Sequence, residues 1–466
     1  MKKVISIYFI LLLLNIVPVS GQNWETFGGG ASQFIRTMYT DSVNGLLYIG
    51  GNFLHVGGMS VKNIVSWDGI QWDTLGSGIG NDNSYNSVRS ICRYQDKLYF
   101  GGDFRAVAGN VFVRNIATWD GNTWDSLPGM PNRVVSDIKA YNGELYICGT
   151  FDSIGTLPAN GLAKWDGNAW SDVNNIPNYN DYAGNINFFD CLAFYKNQLY
   201  VAGNMGGWTD TIKEITRWNG TDWVSVGGGI KGDSWVDCMT VYKNELYVGG
   251  YFYANDGNAG NFIMKWDGQQ WSDVGGGMIG DTVYLNGQIF DMKVINDELW
   301  VVGVFLGAGG VPAQKVAKWD GEEWCGLGSQ INNSILCIES FRDTVYIGGG
   351  FKTIDSDTVN YIARWTGGSY TDSCGAINNI NEPVTANENV TMFPNPASNK
   401  IFFKTNDGSN NWENTEVIVY NIIGDVVYSG KPETSCIDIS GLNSGTYFVK
   451  VKSSDNIITR NIVIIK

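Results

Sequence analysis

Histidine is almost missing from this chain: one residue, His55, in 466. That excludes metal sites built on several histidines and leaves a Ser-His-Asp triad without support. Positive charge is scarce as well, with 31 Lys and Arg against 46 Asp and Glu and a formal net charge of -15. An acidic surface without a Lys/Arg cluster repels phosphate backbones and anionic membranes, so neither nucleic acid nor a lipid surface is an expected partner. After the N-terminal segment, no apolar run approaches the roughly eighteen residues that a membrane span needs. Calcium loops of the EF-hand type are absent. The arginines are scattered, and no spacing singles out a pair of carboxylates for glycoside hydrolysis. No catalytic residue, metal site or cofactor is therefore expected.

What the chain has instead is glycine, 60 residues, and aromatics, 13%, with only 10 prolines, a composition suited to an all-β protein rich in tight turns. The aromatics are periodic. A Trp-Asp-Gly-x-x-Trp hairpin begins at Trp67, Trp119, Trp165, Trp218, Trp266, Trp319 and Trp365, at intervals of 46 to 53 residues. The fourth copy reads Trp218-Asn219-Gly220 and the seventh, Trp365-Thr366-Gly367 to Tyr370, is degraded. About twenty residues before each lies Leu-Tyr-x-Gly-Gly-x-Phe or a close relative, as at Leu47 to Phe53. A fixed period near fifty means one supersecondary unit repeated.

The second repeat shows its strands. Val88 to Tyr94 alternates apolar and polar residues, Gln95-Asp96-Lys97 turns, and Leu98 to Phe104 returns. Asn115 to Trp119 and Trp124 to Leu127 follow, joined by Asp120-Gly121, the strongest short hairpin signal. Four antiparallel strands per repeat predict the blade of a β-propeller, seven-bladed here, over residues 22–376. The repeated tryptophans are expected between neighbouring blades, and the paired glycines where backbones come close. Trp24, in Asn23-Trp24-Glu25-Thr26-Phe27-Gly28, matches a fourth strand with no first three before it. Such an orphan is expected to clasp the last blade and hide the open edges of the ring.

Residues 1–21 read as a secretory signal peptide: Lys2 and Lys3, the apolar run Val4 to Ile16, and a small-residue exit at Val19-Ser20-Gly21. Eight cysteines in an exported chain invite a disulfide reading. The register opposes it, because Cys191, Cys238 and Cys337 each sit nine residues before the Tyr of their repeat, with Cys92 close to that position. Equivalent positions in different blades are too far apart to bridge, so buried free thiols are expected. Cys325 with Cys374 is the one pair left to test.

The repeats resemble kelch and galactose-oxidase propellers in period and in the double glycine that ends the second strand. They are more similar still to the repeats of Rax2-like ectodomains and many secreted Bacteroidetes proteins, whose pattern Asn115-Ile116-Ala117-Thr118-Trp119-Asp120-Gly121-Asn122-Thr123-Trp124 carries in full. The resemblance covers about residues 23 to 376. One histidine puts the paired-histidine copper centre of galactose oxidase out of reach; as a lone loop residue His55 is expected to be exposed. The Asp-box of sialidases is only approximated, since Ser66-Trp67-Asp68-Gly69-Ile70-Gln71-Trp72 lacks the residue between Asp and Gly. Asp-Ser/Thr-apolar triplets, at hydroxyl residues Ser42, Thr74, Ser126, Ser153, Thr211, Thr282, Thr344 and Thr358, resemble the O-glycosylation motif of exported Bacteroidetes proteins; at Thr74 and Ser126 the repeat itself generates them.

Residues 377–390, rich in Asn, Glu and Thr, read as a linker. Over 391–466, Lys400 to Lys404, Glu416 to Tyr420, Asp425 to Ser429, Ser435 to Ile439, Thr446 to Val451 and Thr459 to Ile465 predict the short strands of a small Ig-like β-sandwich. Phe393-Pro394-Asn395-Pro396, the run ending in Gly424, the run through Gly445 and the terminal Lys466 resemble the type A sorting domain of the Bacteroidetes type IX secretion system. The resemblance implies export through the periplasm, the secretion machinery as partner, and release or surface attachment.

Topology locates a candidate ligand face. In an antiparallel blade the loop between strands two and three and the crossover to the next blade share one face, and here those segments are long. They carry Tyr85, Tyr182, Trp208, Trp235 and Tyr284, with Trp208 and Trp235 outside the repeat register. Aromatics there would stack on sugar rings or cap a peptide, or merely pin the loops. The expected function is a secreted or surface-displayed binding module, expected as a monomer, for a glycan or protein. The alternatives are an extracellular carbohydrate-active lyase or hydrolase with its site in the channel mouth, and an adhesive scaffold.

Overall fold

The computed structural model describes residues 24–366 apart from 81–85, 109–110, 178–186, 206–212, 281–286 and 328, and residues 390–464 apart from 395–396, 406–411, 413–414, 422–425, 433–434 and 453–456. The signal-peptide segment, Cys374, and most of the expected linker therefore lie outside the described residues.

The repeat folds as its turns dictate. Between strands one and two, Lys243 and Asn244 both take positive φ (45° and 62°), the turn that matches the natural twist of a hairpin. Between strands three and four, the Asp68 carboxylate accepts the backbone N–H groups of Ile70 and Gln71 at 2.7 and 2.8 Å. The same Asx turn recurs at Asp120, Asp166, Asn219, Asp267 and Asp320. The result is a series of seven four-stranded antiparallel sheets between Trp24 and Trp365. Their first strands are Ile35–Asp41, Ser87–Tyr94, Val135–Tyr141, Phe188–Tyr195, Trp235–Tyr242, Gln288–Ile295 and Ile335–Phe341. Sheets are numbered one to seven in that order below.

The hydrophobic core shows how the sheets are arranged. It falls into clusters that each join two consecutive sheets: Ile91 and Phe100 of sheet two with Tyr48 and Ile64 of sheet one, for example. One cluster joins Cys337, Phe341 and Tyr346 of sheet seven to Ile35, Leu47 and Ile49 of sheet one, which closes the series on itself. First strands of neighbouring sheets also touch all the way round, including the first with the last. The architecture is propeller-like, with the first strands innermost.

The tryptophans sit in the gaps between sheets, as expected. Trp119 and Trp124 pack at 5.0 Å between ring centroids, and the Trp124 indole N–H donates to the Leu75 carbonyl of the preceding repeat at 2.8 Å. Trp324 does the same to Val274 at 2.8 Å. Trp24, fully buried, pairs in register with Trp365, so the N-terminal strand supplies the outer strand of sheet seven.

Sequence reasoning did not foresee the short hairpins in the loops between strands two and three, such as His55–Val56 with Met59–Ser60 and Ala106–Val107 with Val111–Phe112. Each of these pairs with the crossover from the preceding sheet through Ala31 or Ile79. His55 is exposed on the first of them.

Of the cysteines, Cys148, Cys191, Cys238 and Cys337 are buried free thiols, Cys92 is a partly buried one, and Cys436 is partly buried. Cys325 is disulfide-bonded. Residues 390–464 form a three-stranded and a four-stranded sheet that share one core, including Ile401, Phe403, Val419, Val449 and Ile462. All six expected strands lie within two residues of their expected positions, and Val390–Phe393 was not anticipated.

Candidate functional site

Every first strand carries a bulge near its start: in each sheet the pairing with strand two shifts by one residue. A glycine opposite the bulge is its sequence trace, doubled in four of the seven repeats. A Cβ on Gly102 would lie 1.9 Å from the Ser87 carbonyl oxygen, and one on Gly203 would lie 2.1 Å from that of Phe188. That glycine makes room for the bulged backbone, and where a second glycine precedes it, that one admits the next sheet, as Gly50 does for Val88.

The bulged residues are Arg36, Arg89, Ser136, Asp190, Asp237, Phe290 and Leu336. Each follows a residue with no solvent exposure and is itself half-buried or, at Arg89, exposed. They line the bore at the long-loop face, because the start of strand one lies beside the end of strand two. The ring is polarised: arginines on sheets one and two, aspartates on sheets four and five. Its members sense one another across the bore, since Asp190 feels the charge of Arg89 from two sheets away.

Asp190 has no hydrogen-bond or ion-pair partner among the described residues. It keeps some exposure yet has protein on nearly every side, and burial pushes its carboxyl up to about 6, with Arg89 pulling the other way. Burial raises Asp237 further, to about 8, although Gln288 donates to it at 2.8 Å. Behind them Glu214 is raised to about 7 by burial while accepting the Met205 N–H at 2.7 Å. The Arg36 guanidinium donates to Asn52. Deeper in the bore Lys139 lies 3.5 Å from Asp137, whose charge, reinforced by Asp291 of sheet six, holds the ammonium above its ordinary range.

Two residues before each bulged position is a rim residue. Phe34 and Phe188 stand 40% and 41% exposed there, large apolar side chains left in water. Trp235 is the rim residue of sheet five, half-buried and stacked on Tyr251 at 4.6 Å with 19° between the rings. Of the residues singled out from sequence, Trp235 thus belongs to the bore mouth and partly pins its own strand. Tyr85, Tyr182, Trp208 and Tyr284 lie outside the described residues. Sequence reasoning missed Arg36, Arg89, Asp190 and Asp237. The available signal was their spacing: Arg89, Asp190 and Asp237 stand thirteen residues before Gly102, Gly203 and Gly250, the glycine opposite the bulge in each repeat.

Residues 391–465 match the family described as secretion system C-terminal sorting domain. The C-terminal unit is a type IX sorting domain. It indicates export of the chain to the cell surface or the medium, and among the described residues no helix is long and apolar enough to cross a membrane. Of the residues assigned to the signal, Phe393 and Pro394 are exposed, Gly445 opens the strand Gly445–Lys452, and Asn395, Pro396, Gly424 and Lys466 lie outside the described residues.

No curated protein matches the chain. Among solved structures it is similar to the extracellular domain assigned to a hybrid two-component system of B. thetaiotaomicron, at 13% identity and TM-score 0.43, covering 93% of this chain and 57% of that one. The chain thus spans little more than half of that relative. PorZ, a surface component of the type IX secretion system of Porphyromonas gingivalis, is similar at 12% identity and TM-score 0.32, over 91% of this chain and 73% of that one. The β-propeller domain of the Trilobed protease from Pyrococcus furiosus is similar at 10% identity and TM-score 0.39, over 72% and 96%.

Proposed function

We propose that the chain is a secreted seven-bladed propeller with a C-terminal sorting sandwich, processed after Gly21 and acting as a binding module for a glycan or protein held at the bore mouth on the long-loop face. The polarised ring of bulged residues beneath an aromatic rim carries this reading. It puts exposed apolar rings and unpaired charges at one concave place, the usual composition of a ligand site. A glycan and protein array probed with the full chain tests it, with Trp235→Ala, Phe188→Ala and Asp190→Asn as variants. Binding lost in these variants supports the reading; no bound partner, or binding indifferent to all three, removes it.

A second reading, a carbohydrate-active enzyme, is favoured by Asp190 and Asp237. Asp237, raised to about 8, holds a proton near neutral pH, as a general acid must, and Asp190, raised to about 6, has mostly given its proton up there. Sugar release from a polysaccharide panel, abolished in Asp190→Asn or Asp237→Asn, would convert the binding module into an enzyme.

A further inference from the structure

Two guanidiniums stand on the bulges of sheets one and two. Among the described residues neither Arg36 nor Arg89 forms an ion pair, and Arg89 makes no hydrogen bond. Burial, and then the charge of Arg89, lower the hold of Arg36 on its proton, so the pair is under electrostatic pressure. A guanidinium cannot shed its charge at any ordinary pH. Asp237 opposite, raised to about 8 by burial, can do so by keeping its proton as a neutral hydrogen-bonding group. Positive charge without an ion-pair partner among the described residues therefore lies on the side of sheets one and two, with Arg36 held by Asn52 and 5.9 Å from the Phe34 ring centroid. The opposite side offers Asp190, Asp237 and Gln288, which suit hydroxyl groups, and Phe188 and Trp235 stand on the rim above.

We propose that the bore mouth binds a carboxylate-bearing sugar of the uronate class, its carboxylate on Arg36 and Arg89 and its hydroxyls toward Asp190, Asp237 and Gln288. A planar carboxylate matches the fork of a guanidinium, and a sugar ring supplies the hydroxyls and the apolar face that the remaining groups fit. This rests on the reading of the long-loop face as a ligand site and names the ligand class for it. The net charge of -15 opposes an acidic ligand at long range, so recognition depends on the local arginine pair.

Titration calorimetry of the full chain with trigalacturonate, galactotriose and inorganic phosphate is the test. Trigalacturonate should bind about tenfold or more tightly than either of the others. Arg89→Ala, at a side chain with no partner to lose, should keep its melting temperature and weaken trigalacturonate about tenfold, with Arg89→Lys recovering part of the loss. Equal affinity for galactotriose, phosphate as tight as trigalacturonate, or an indifferent Arg89→Ala each overturns the proposal. A neutral glycan or a protein captured through Trp235 alongside any of these results would leave the binding-module reading standing. An array with no bound partner at all would sink both.

Discussion

The outer turns and the inner bulges are products of the same repeat, yet they differ in what they allow to vary. At the outer turn the acceptor is Asp or Asn in six repeats, always bonded to its own backbone, and the neighbouring tryptophans fill the gaps between sheets. At the bulge the backbone is as regular, with a glycine demanded opposite each one, but the side chain it presents runs Arg, Arg, Ser, Asp, Asp, Phe, Leu. The turn uses its side chain to hold itself together. The bulge holds its shape through the backbone and a glycine, which leaves the side chain unconstrained by folding. Chemistry can vary only where the fold does not consume the residue.

That contrast can be broken at several points. Gly102→Ala forces a Cβ to 1.9 Å from a backbone oxygen, and about 3 kcal/mol or more should be lost. Gly121→Ala, in an outer turn with φ +103° and no neighbour within 4 Å, should cost only the backbone strain of about 1–3 kcal/mol. Denaturant melts of the two variants measure the difference directly. Trp24→Ala removes a fully buried side chain from the clasp, and chemical denaturation should show a loss of about 3–5 kcal/mol.

Acidity provides a milder probe. Asp190, Glu214 and Asp237 are raised by burial to about 6, 7 and 8. A raised carboxyl binds its proton more tightly folded than unfolded. Its contribution is present while the proton stays on and is lost as pH climbs from the unfolded value of about 4 through the folded one. Melting temperature should therefore fall between about pH 5 and pH 8, and Asp237→Asn should flatten the upper part of that fall. The outer-turn Asp120 behaves oppositely: backbone N–H groups of Thr123 and Asn122 hold its carboxyl down at about 2. Asp120→Ala should lower the melting temperature by only about 2 °C, with no effect on ligand binding.

Much of the fold was legible because it repeats. The Asp-Gly turns, alternating strands and Trp24 orphan all carry local physical signals, and the pairing of Trp24 with Trp365 follows from them. The thiols were legible for the same reason, since Cys191, Cys238 and Cys337 share one register. The site was less so. Arg89 and Asp190 lie 101 positions apart and come within electrostatic reach only because the sheets close on themselves. The search for aromatics that break the repeat singled out Trp235 but passed over residues that keep the repeat position and vary in identity. The small hairpins on the long-loop face were missed because two-residue strands leave no period to read.

The most direct test of the account is a single array experiment on three chains: wild type, the bore variant Arg89→Ala with Asp190→Asn, and the outer-turn variant Asp120→Ala with Asp267→Ala. The account predicts that the bore variant loses the bound partner while melting close to wild type, and that the outer-turn variant melts lower and keeps it. A bore variant that binds as wild type does, beside an outer-turn variant that does not, would place the site on the opposite face and contradict the account.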